Sequence, residues 1–225
     1  MCIAPPGLPT RVRLNTPVLR VIVYCYHTGM KRVILFSTLT KNNESKILSQ
    51  ILPVEIRNKT VAYMPSEGVE GALEYIKQWE VIAQKHNAKF NLINNQSTST
   101  KEKDKLLASN ILVISGGNTF TLLNNLIESG LDDTIKRFSK KQEFVLSGFS
   151  AGALVLSPSI KICNLPGFDD NSIELKELDS LNIVDFEIFP HYKKDLHQKM
   201  LADYQKSTKY PVRDISDDDY ISIDL

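Results

Sequence analysis

The sequence predicts an α/β fold with a mainly parallel sheet flanked by helices. Short apolar runs rich in β-branched residues alternate with stretches whose apolar residues recur at helical spacing, and this alternation is typical of βαβ units. One run, Asn110 to Ser115, is almost entirely apolar, which indicates a central parallel strand covered on both faces. Glycine-bearing turns follow two of the predicted strands.

The first elements come directly after Met30. Lys31 to Ser37 and Lys59 to Pro65 are rich in Val, Ile and large apolar residues, so we predict two strands. Gly71 to His86 has apolar residues at helical spacing, which predicts an amphipathic helix with Trp79 on its buried face.

The middle of the chain continues the alternation on both sides of the apolar strand. Lys89 to Ile93 is a third strand, and Lys101 to Ala108 is a short helix of mixed charge. After Asn110 to Ser115, the stretch Thr119 to Ser129 carries one apolar stripe, and Gly130 is placed to end that helix.

The last third contains fewer regular elements. Leu131 to Lys140 is a helical stretch and Glu143 to Ser147 a strand, after which the chain is loop-rich to about residue 182. Phe186 to Phe189 then predicts a strand, Lys193 to Lys206 a helix, and the alternation in Tyr220 to Leu225 a final strand.

Composition and charge exclude several classes of protein. The 225 residues are 42% hydrophobic and 24% charged, and 27 basic against 26 acidic side chains give a net charge of +1. That balance does not support binding to nucleic acid or a membrane surface through bulk charge. The sequence has no apolar run of about 18 residues that would span a membrane. Three cysteines without CxxC spacing argue against a disulfide scaffold or zinc module, and favour a reduced, cytoplasmic setting.

The first 29 residues differ from the rest. They hold four of the ten prolines, two of the three cysteines, three arginines and no acidic residue. Without them 24 basic and 26 acidic residues remain, and the net charge becomes −2. We therefore expect residues 1–29 to be an N-terminal extension outside the fold, and residues 30–225 to form a single α/β domain. We also expect that the chain could be short at its far end.

The first glycine-bearing turn is Gly148-Phe149-Ser150-Ala151-Gly152, at the junction of a predicted strand and a helix start. This is the nucleophile-elbow pattern, in which small neighbours permit a strained turn that exposes the serine oxygen. The N–H of Ala151 is then placed to stabilise an oxyanion at the helix N-terminus. An incidental turn with the same residues is the alternative.

The second turn, Ser115-Gly116-Gly117-Asn118-Thr119, also joins a strand to a helix. Either it is a plain turn with a helix cap, or the N–H of Gly117 is a second oxyanion donor. A serine nucleophile needs a base. Of the four histidines, His191 directly follows the predicted strand Phe186 to Phe189 and is the candidate.

Together these residues resemble the peptidase E family of serine peptidases, which are aspartyl dipeptidases related to cyanophycinases. The resemblance rests on Gly116 to Phe120, on the elbow Gly148 to Ala153 and on Pro190-His191-Tyr192, and it extends from about Met30 to Leu225. It implies a three-layer, flavodoxin-like fold similar to class I glutamine amidotransferases, and no metal or cofactor.

The resemblance also implies roles for individual residues. Ser150 would be the nucleophile, His191 the general base, and the N–H groups of Gly117 and Ala151 the oxyanion hole. A triad acid is needed because it fixes the imidazole tautomer and stabilises the imidazolium.

The identity of the acid is open in the sequence. The peptidase E family looks to have an Asn-Asp pair after the serine, with that aspartate in the triad. In this chain Asn164 is followed by Leu165 instead. Asp169 and Asp170 lie nearby. In cyanophycinase-like relatives the acid lies before a late strand, and the matching segment points to Asp217 with Asp218 second. A solvated turn is the alternative reading of that acidic run.

Substrate binding is also assigned through the resemblance. Aspartyl dipeptidases use an arginine in the helix after the histidine motif, but here that helix offers lysines, among them Lys199. Lysine binds a carboxylate as a point charge without a bidentate fork. We assign Asn118 and Lys199 to substrate binding and leave a preference for Asp-initial peptides open. The expected partner is a small peptide, with no nucleic acid and no membrane, and a homodimer stays open.

Two other functions stay open. An α/β-hydrolase esterase shares the elbow, but the 75 residues after Ser150 are few for that fold and the Gly-Gly-Asn turn would be unexplained. A binding module that keeps the pocket without turnover is the second, because the Asn-Asp acid is missing. A cysteine at the elbow, which a glutamine amidotransferase needs, is absent.

Overall fold

A computed structural model describes residues 10–11, 24–25 and 29–225 of the chain. The strands are β1 (Thr10–Arg11), β2 (Tyr24–Cys25), β3 (Lys31–Phe36), β4 (Thr60–Met64), β5 (Lys89–Leu92), β6 (Ile111–Ile114), β7 (Phe144–Phe149), β8 (Glu187–Phe189), β9 (Val212–Asp214) and β10 (Tyr220–Asp224). The α-helices are α1 (Glu44–Ile51), α2 (Leu73–Lys85), α3 (Thr100–Ala108), α4 (Thr119–Ser129), α5 (Leu131–Phe138), α6 (Ala151–Leu154) and α7 (Lys194–Gln205). Short 3-10 helices cover Glu70–Ala72 and Lys161–Asn164.

The central sheet has six strands in the order β10-β3-β7-β6-β4-β5. All neighbours pair in parallel except β10, which runs antiparallel along β3 with Tyr220 opposite Phe36. The predicted α/β class with a mainly parallel sheet is confirmed. Because the parallel strands share one direction, the turns after β3, β4, β6 and β7 meet at one edge of the sheet, where ligands bind in folds of this type.

Helices cover both faces of the sheet and make three layers. In β3, Val33 and Leu35 pack with α3, α4, α5 and α6, whereas Ile34 and Phe36 pack with α1 and α2. This division follows from the two-residue period of a strand, which sends neighbouring side chains to opposite faces. Trp79 is buried on the α2 side, as its spacing predicts.

Within residues 30–225, one α-helix and one strand are absent from the sequence prediction, and another strand lies in an unexpected place. Helix α1 occupies the segment between the first two predicted strands, and strand β9 precedes β10. Strand β8 is present close to its predicted bounds but lies outside the central sheet, paired in parallel with β9. Helix α6, at the predicted helix start after Ser150, has only four residues.

The predicted extension over residues 1–29 lies almost wholly outside the described residues. Within it, β1 and β2 pair antiparallel, with Thr10 opposite Cys25. The proposed division into an extension and a domain over 30–225 stays a prediction. In the part of the chain that the structure describes, no helix combines the length and the apolar character needed to cross a bilayer.

Candidate active site

Ser150 lies at the sharp turn between β7 and α6. Its backbone has φ 49° and ψ −117°, a left-handed φ that is rare for a residue with a side chain. Its N–H donates to the carbonyl of Phe36 at 3.0 Å, which ties the turn to the end of β3. A strained backbone of this kind persists only where its surroundings hold it.

The two glycines of the elbow provide that support by allowing close backbone contacts. A Cβ on Gly148 would lie 2.2 Å from the carbonyl oxygen of Gly152. A Cβ on Gly152 would lie 2.1 Å from the carbonyl oxygen of Ile114, at the end of β6. Both distances are below any that real Cβ atoms show, so the elbow packs against its own strand and against β6 only with glycine at both positions.

His191 and Asp217 complete a chain of hydrogen bonds to Ser150. His191 Nε2 lies 3.0 Å from Ser150 Oγ, and His191 Nδ1 lies 2.6 Å from Asp217 Oδ1. With the ring proton on Nδ1 donated to the carboxylate, Nε2 is free to accept the serine proton. The side chains of His191 and Asp217 are 45% and 41% exposed, so this pair is open to substrate and solvent.

The turn that carries His191 is fastened to the end of β3 by Ser37. The buried Ser37 hydroxyl accepts the N–H of His191 at 2.9 Å and donates to the carbonyl of Ile215 at 2.9 Å. The N–H of Tyr192 donates to the same Ile215 carbonyl at 3.0 Å. One hydroxyl thus connects the segment that bears the base with the segment that bears the acid.

Asn43 holds the acid-bearing segment from the other side. Its Nδ2 donates to the carbonyl oxygens of Asp217 and Thr38 at 2.9 and 3.0 Å, and its Oδ1 accepts the N–H of Thr40. The residue is 1% exposed. Neither Ser37 nor Asn43 is among the site residues predicted from the sequence. A polar residue directly after a buried strand was the available signal for Ser37.

The other candidate acids have different partners. The Asp218 carboxylate accepts from Thr40 Oγ1 at 2.7 Å and Asn42 Nδ2 at 3.1 Å, and these hydrogen bonds lower the pKa of Asp218. The Asp169 carboxylate accepts the N–H and the hydroxyl of Thr119, at the first residue of α4. The structure brings Asp217 to His191, whereas Asp218 binds the side chains of Thr40 and Asn42 and Asp169 binds Thr119.

Asp170, the fourth candidate, contributes its backbone rather than its carboxylate to the nearby contacts. Its carbonyl oxygen accepts from Asn118 Nδ2 at 2.8 Å. The side chain of Asn118 also caps α4, because its Oδ1 accepts the N–H of Thr121 at 2.9 Å. The predicted substrate-binding side chain of Asn118 is therefore engaged at both ends with the protein itself.

The Gly-Gly turn after β6 lies against the serine. A Cβ on Gly116 would lie 3.1 Å from Ser150 Cβ. Gly117 has φ 141°, and a Cβ at this position would clash with Ser66 Oγ. Within the described residues, neither the N–H of Gly117 nor that of Ala151 has a protein acceptor. Ala151 follows Ser150 in the chain and the Gly116-Gly117 turn packs against the serine, so these two N–H groups are the candidates for an oxyanion hole.

Within residues 29–225, Lys199 forms no hydrogen bond or ion pair with Ser150, His191 or Asp217. It lies on α7, exposed, about half a turn away from Leu201, which packs in the core. His197 faces inward on the same helix, with its ring centroid 5.2 Å from that of Phe189. The structure therefore places the predicted substrate-binding lysine on the outward face of α7.

Cys163 is buried, and its thiol is unreactive. Burial raises the pKa of its thiol to about 12, against a hydrogen bond with Thr119 that lowers it. The thiol is only 2% exposed and is protonated at neutral pH. Ser150 is thus the nucleophile candidate that the geometry favours over the buried cysteine.

Known proteins match most of this chain. A family model described as peptidase family S51 matches residues 33–224. An uncharacterized peptidase of Listeria innocua is 30% identical over 163 residues, which are 68% of this chain and 76% of that protein. Peptidase E of a Nostoc species is 30% identical over 170 residues, which are 72% of this chain and 66% of that protein.

Two solved structures share the fold. A protein of Listeria monocytogenes EGD-e assigned to peptidase E superposes with a TM-score of 0.70 at 25% identity, over 87% of this chain and 95% of that chain. A peptidase from an acI-B1 actinobacterium gives a TM-score of 0.65 at 16% identity, over 87% and 84% of the two chains. The second likeness concerns the fold alone.

Proposed function

The chain belongs to peptidase family S51 and is a serine-type peptidase, and we propose that it hydrolyses small peptides of dipeptide size through Ser150, His191 and Asp217. The observation that carries this proposal is the pair of hydrogen bonds running from Asp217 Oδ1 through the His191 ring to Ser150 Oγ. The strained elbow supports it, because such a turn exposes the serine oxygen above the sheet.

The first half of the proposed reaction forms an acyl-enzyme. Ser150 Oγ attacks the scissile carbonyl carbon while His191 Nε2 takes the hydroxyl proton, and Asp217 stabilises the resulting imidazolium. The carbonyl electron pair moves onto the oxygen, where the N–H groups of Gly117 and Ala151 stabilise the charge. When the tetrahedral intermediate collapses, the C–N bond breaks and the leaving amine takes the proton from Nε2.

The second half releases the acid product. Water attacks the ester carbonyl of the acyl-enzyme, and His191 Nε2 accepts a proton from that water. The same two N–H groups stabilise the second oxyanion, and its collapse breaks the bond to Ser150 Oγ, which regains its proton from the imidazolium. The side chains of His191 and Asp217 are exposed enough for water to reach the ester.

Asp-initial dipeptides are the first substrates to test. Their use follows from the resemblance to aspartyl dipeptidases, whereas the outward position of Lys199 argues against that lysine as the group that binds the substrate carboxylate. A neutral or apolar first residue therefore belongs in the same panel.

The experiment compares wild type with Ser150→Ala on a panel of dipeptide amides. We expect hydrolysis by wild type and a loss in kcat of at least about 10⁴ in the variant. A fluorophosphonate probe should label wild type at Ser150 and leave the variant unlabelled. If neither the panel nor the probe distinguishes the two proteins, the chain is a binding protein and the proposed function is wrong.

A further inference from the structure

A carboxylate lies beside the turn that supplies one of the proposed oxyanion donors. Glu67 follows the end of β4, and its Oε1 accepts the N–H of Asn118 at 2.6 Å. A Cβ on Gly117 would lie 3.2 Å from the same oxygen. The charge of Glu67 is therefore next to the residue whose N–H faces the developing oxyanion.

The segment that carries Glu67 is held in place. The Ser66 N–H donates to Ser115 Oγ at 3.0 Å, and Ser66 Oγ donates to the carbonyl of Gly116 at 2.7 Å. Asn95 Nδ2 donates to the carbonyl of Ser66 at 2.8 Å. These bonds join the chain just before Glu67 to the turn that packs on Ser150, so the carboxylate is positioned before any substrate binds.

A cation bound at Glu67 would favour the proposed chemistry. A fixed negative charge near the oxyanion hole opposes the negative charge that grows in the transition state. Among the described residues, no lysine, arginine or histidine forms an ion pair with Glu67. Its side chain is exposed, and its Oε2 receives no hydrogen bond within the described part of the chain. Glu67 is therefore available to a cation that the substrate brings.

The substrate of an exopeptidase provides such a cation. In the N-terminal residue of a peptide, the α-nitrogen lies about 2.5 Å from the carbonyl carbon, because only Cα separates them. A substrate whose carbonyl oxygen occupies the hole at Gly117 therefore brings its α-ammonium close to that turn. A charge-assisted hydrogen bond to a carboxylate is among the strong polar contacts available there.

We propose that Glu67 is the residue that binds the protonated α-amino group of the substrate and thereby favours a free N-terminus over a blocked one. This inference rests on the proposed peptidase function. It assigns Glu67 a specificity role and leaves the nucleophile, base and acid unchanged.

The test compares paired substrates in three proteins. Each active dipeptide amide is supplied with a free amino group and with an N-acetyl group, and kcat/KM is measured for wild type, Glu67→Gln and Glu70→Gln. Glutamine at 67 keeps an acceptor for the Asn118 N–H, and Glu70 gives a matched control because it is an exposed glutamate three residues later.

We expect wild type and Glu70→Gln to prefer the free amine by at least about tenfold, and Glu67→Gln to lose that preference. The N-acetyl substrate is an internal control, because damage to the fold would lower both rates together. Equal ratios in all three proteins, with hydrolysis that still depends on Ser150, would overturn the role of Glu67 and leave the peptidase function standing. Absence of any Ser150-dependent hydrolysis would overturn both.

Discussion

Replacing Asp217 by asparagine removes one charge and leaves the shape of the site nearly unchanged. The carboxylate accepts from His191 Nδ1 at 2.6 Å, and this bond fixes the tautomer in which Nε2 can accept the Ser150 proton. An amide in its place can donate to Nδ1 instead, which puts the ring proton on Nε2 and prevents it from acting as a base. We therefore expect Asp217→Asn to fold and bind substrate while losing most of its turnover.

The size of the loss follows from the distance and the exposure. Two unit charges 2.6 Å apart attract by about 1.6 kcal/mol in bulk water and by about 6 kcal/mol at an effective dielectric constant of about 20. Solvent screens this pair, because its side chains are 45% and 41% exposed, so the upper figure must be discounted. Together with the wrong tautomer, we expect kcat to fall by about 10² to 10⁴.

The assay is hydrolysis of the best dipeptide amide under saturating conditions, with two matched carboxylate variants. Asp218→Asn changes the neighbouring residue, whose carboxylate binds Thr40 and Asn42, and Asp169→Asn changes the carboxylate that binds Thr119. Both variants should keep kcat within about tenfold of wild type. An equal loss in either one, or a mild effect in all three, would refute the assignment of Asp217.

Two further changes test the surroundings of the site. Ser37→Ala removes the hydroxyl shared by His191 and Ile215, so the free energy of unfolding in urea should fall by about 1–3 kcal/mol and kcat should fall with it; an unchanged urea midpoint and kcat would contradict the role of Ser37. Cys163 should resist iodoacetamide at pH 8 in the native protein and react in urea, as peptide mass mapping would show; labelling in the native state would contradict its burial. Because burial raises the pKa of this thiol from 9.0 to about 12, its contribution to stability is complete below about pH 9 and is lost as the pH rises towards 12, which alkaline unfolding of wild type and Cys163→Ala would measure.

The sequence is informative about the fold wherever burial imposes a pattern. Ile111–Ile114 is buried throughout and predicts its strand correctly. Helix α1 has only eight residues, of which three are buried, so its helical period is too short to recognise. Strand β9 has three residues and none is fully buried, so its pairing with β8 depends on backbone hydrogen bonds that leave no mark in the side chains.

In the candidate site, too, residues marked by a local pattern are predictable from the sequence, whereas contacts between distant segments are not. Ser150 and His191 stand within three residues of the ends of predicted strands, and local patterns are enough to propose them. Asp217 and Asp218 are neighbours, and their different partners depend on contacts such as that of Asn43, which is 174 residues away along the chain. The outward position of Lys199 could have been inferred from the helical period, because Lys199 lies about half a turn away from the apolar Leu201.

Strand β10 lies at the edge of the central sheet, and we expect local opening there to abolish activity before the protein unfolds. None of its five residues is fully buried, and it directly follows the segment that carries Asp217. The contacts that position this segment depend on chain next to the sheet edge, whereas the elbow at Ser150 is packed in the interior of the sheet between the ends of β3 and β6. Opening of a sheet edge costs less than global unfolding. On heating or long storage, we therefore expect peptidase activity to be lost while the helices and most of the sheet are still intact. Activity should decline earlier than the circular dichroism signal of secondary structure.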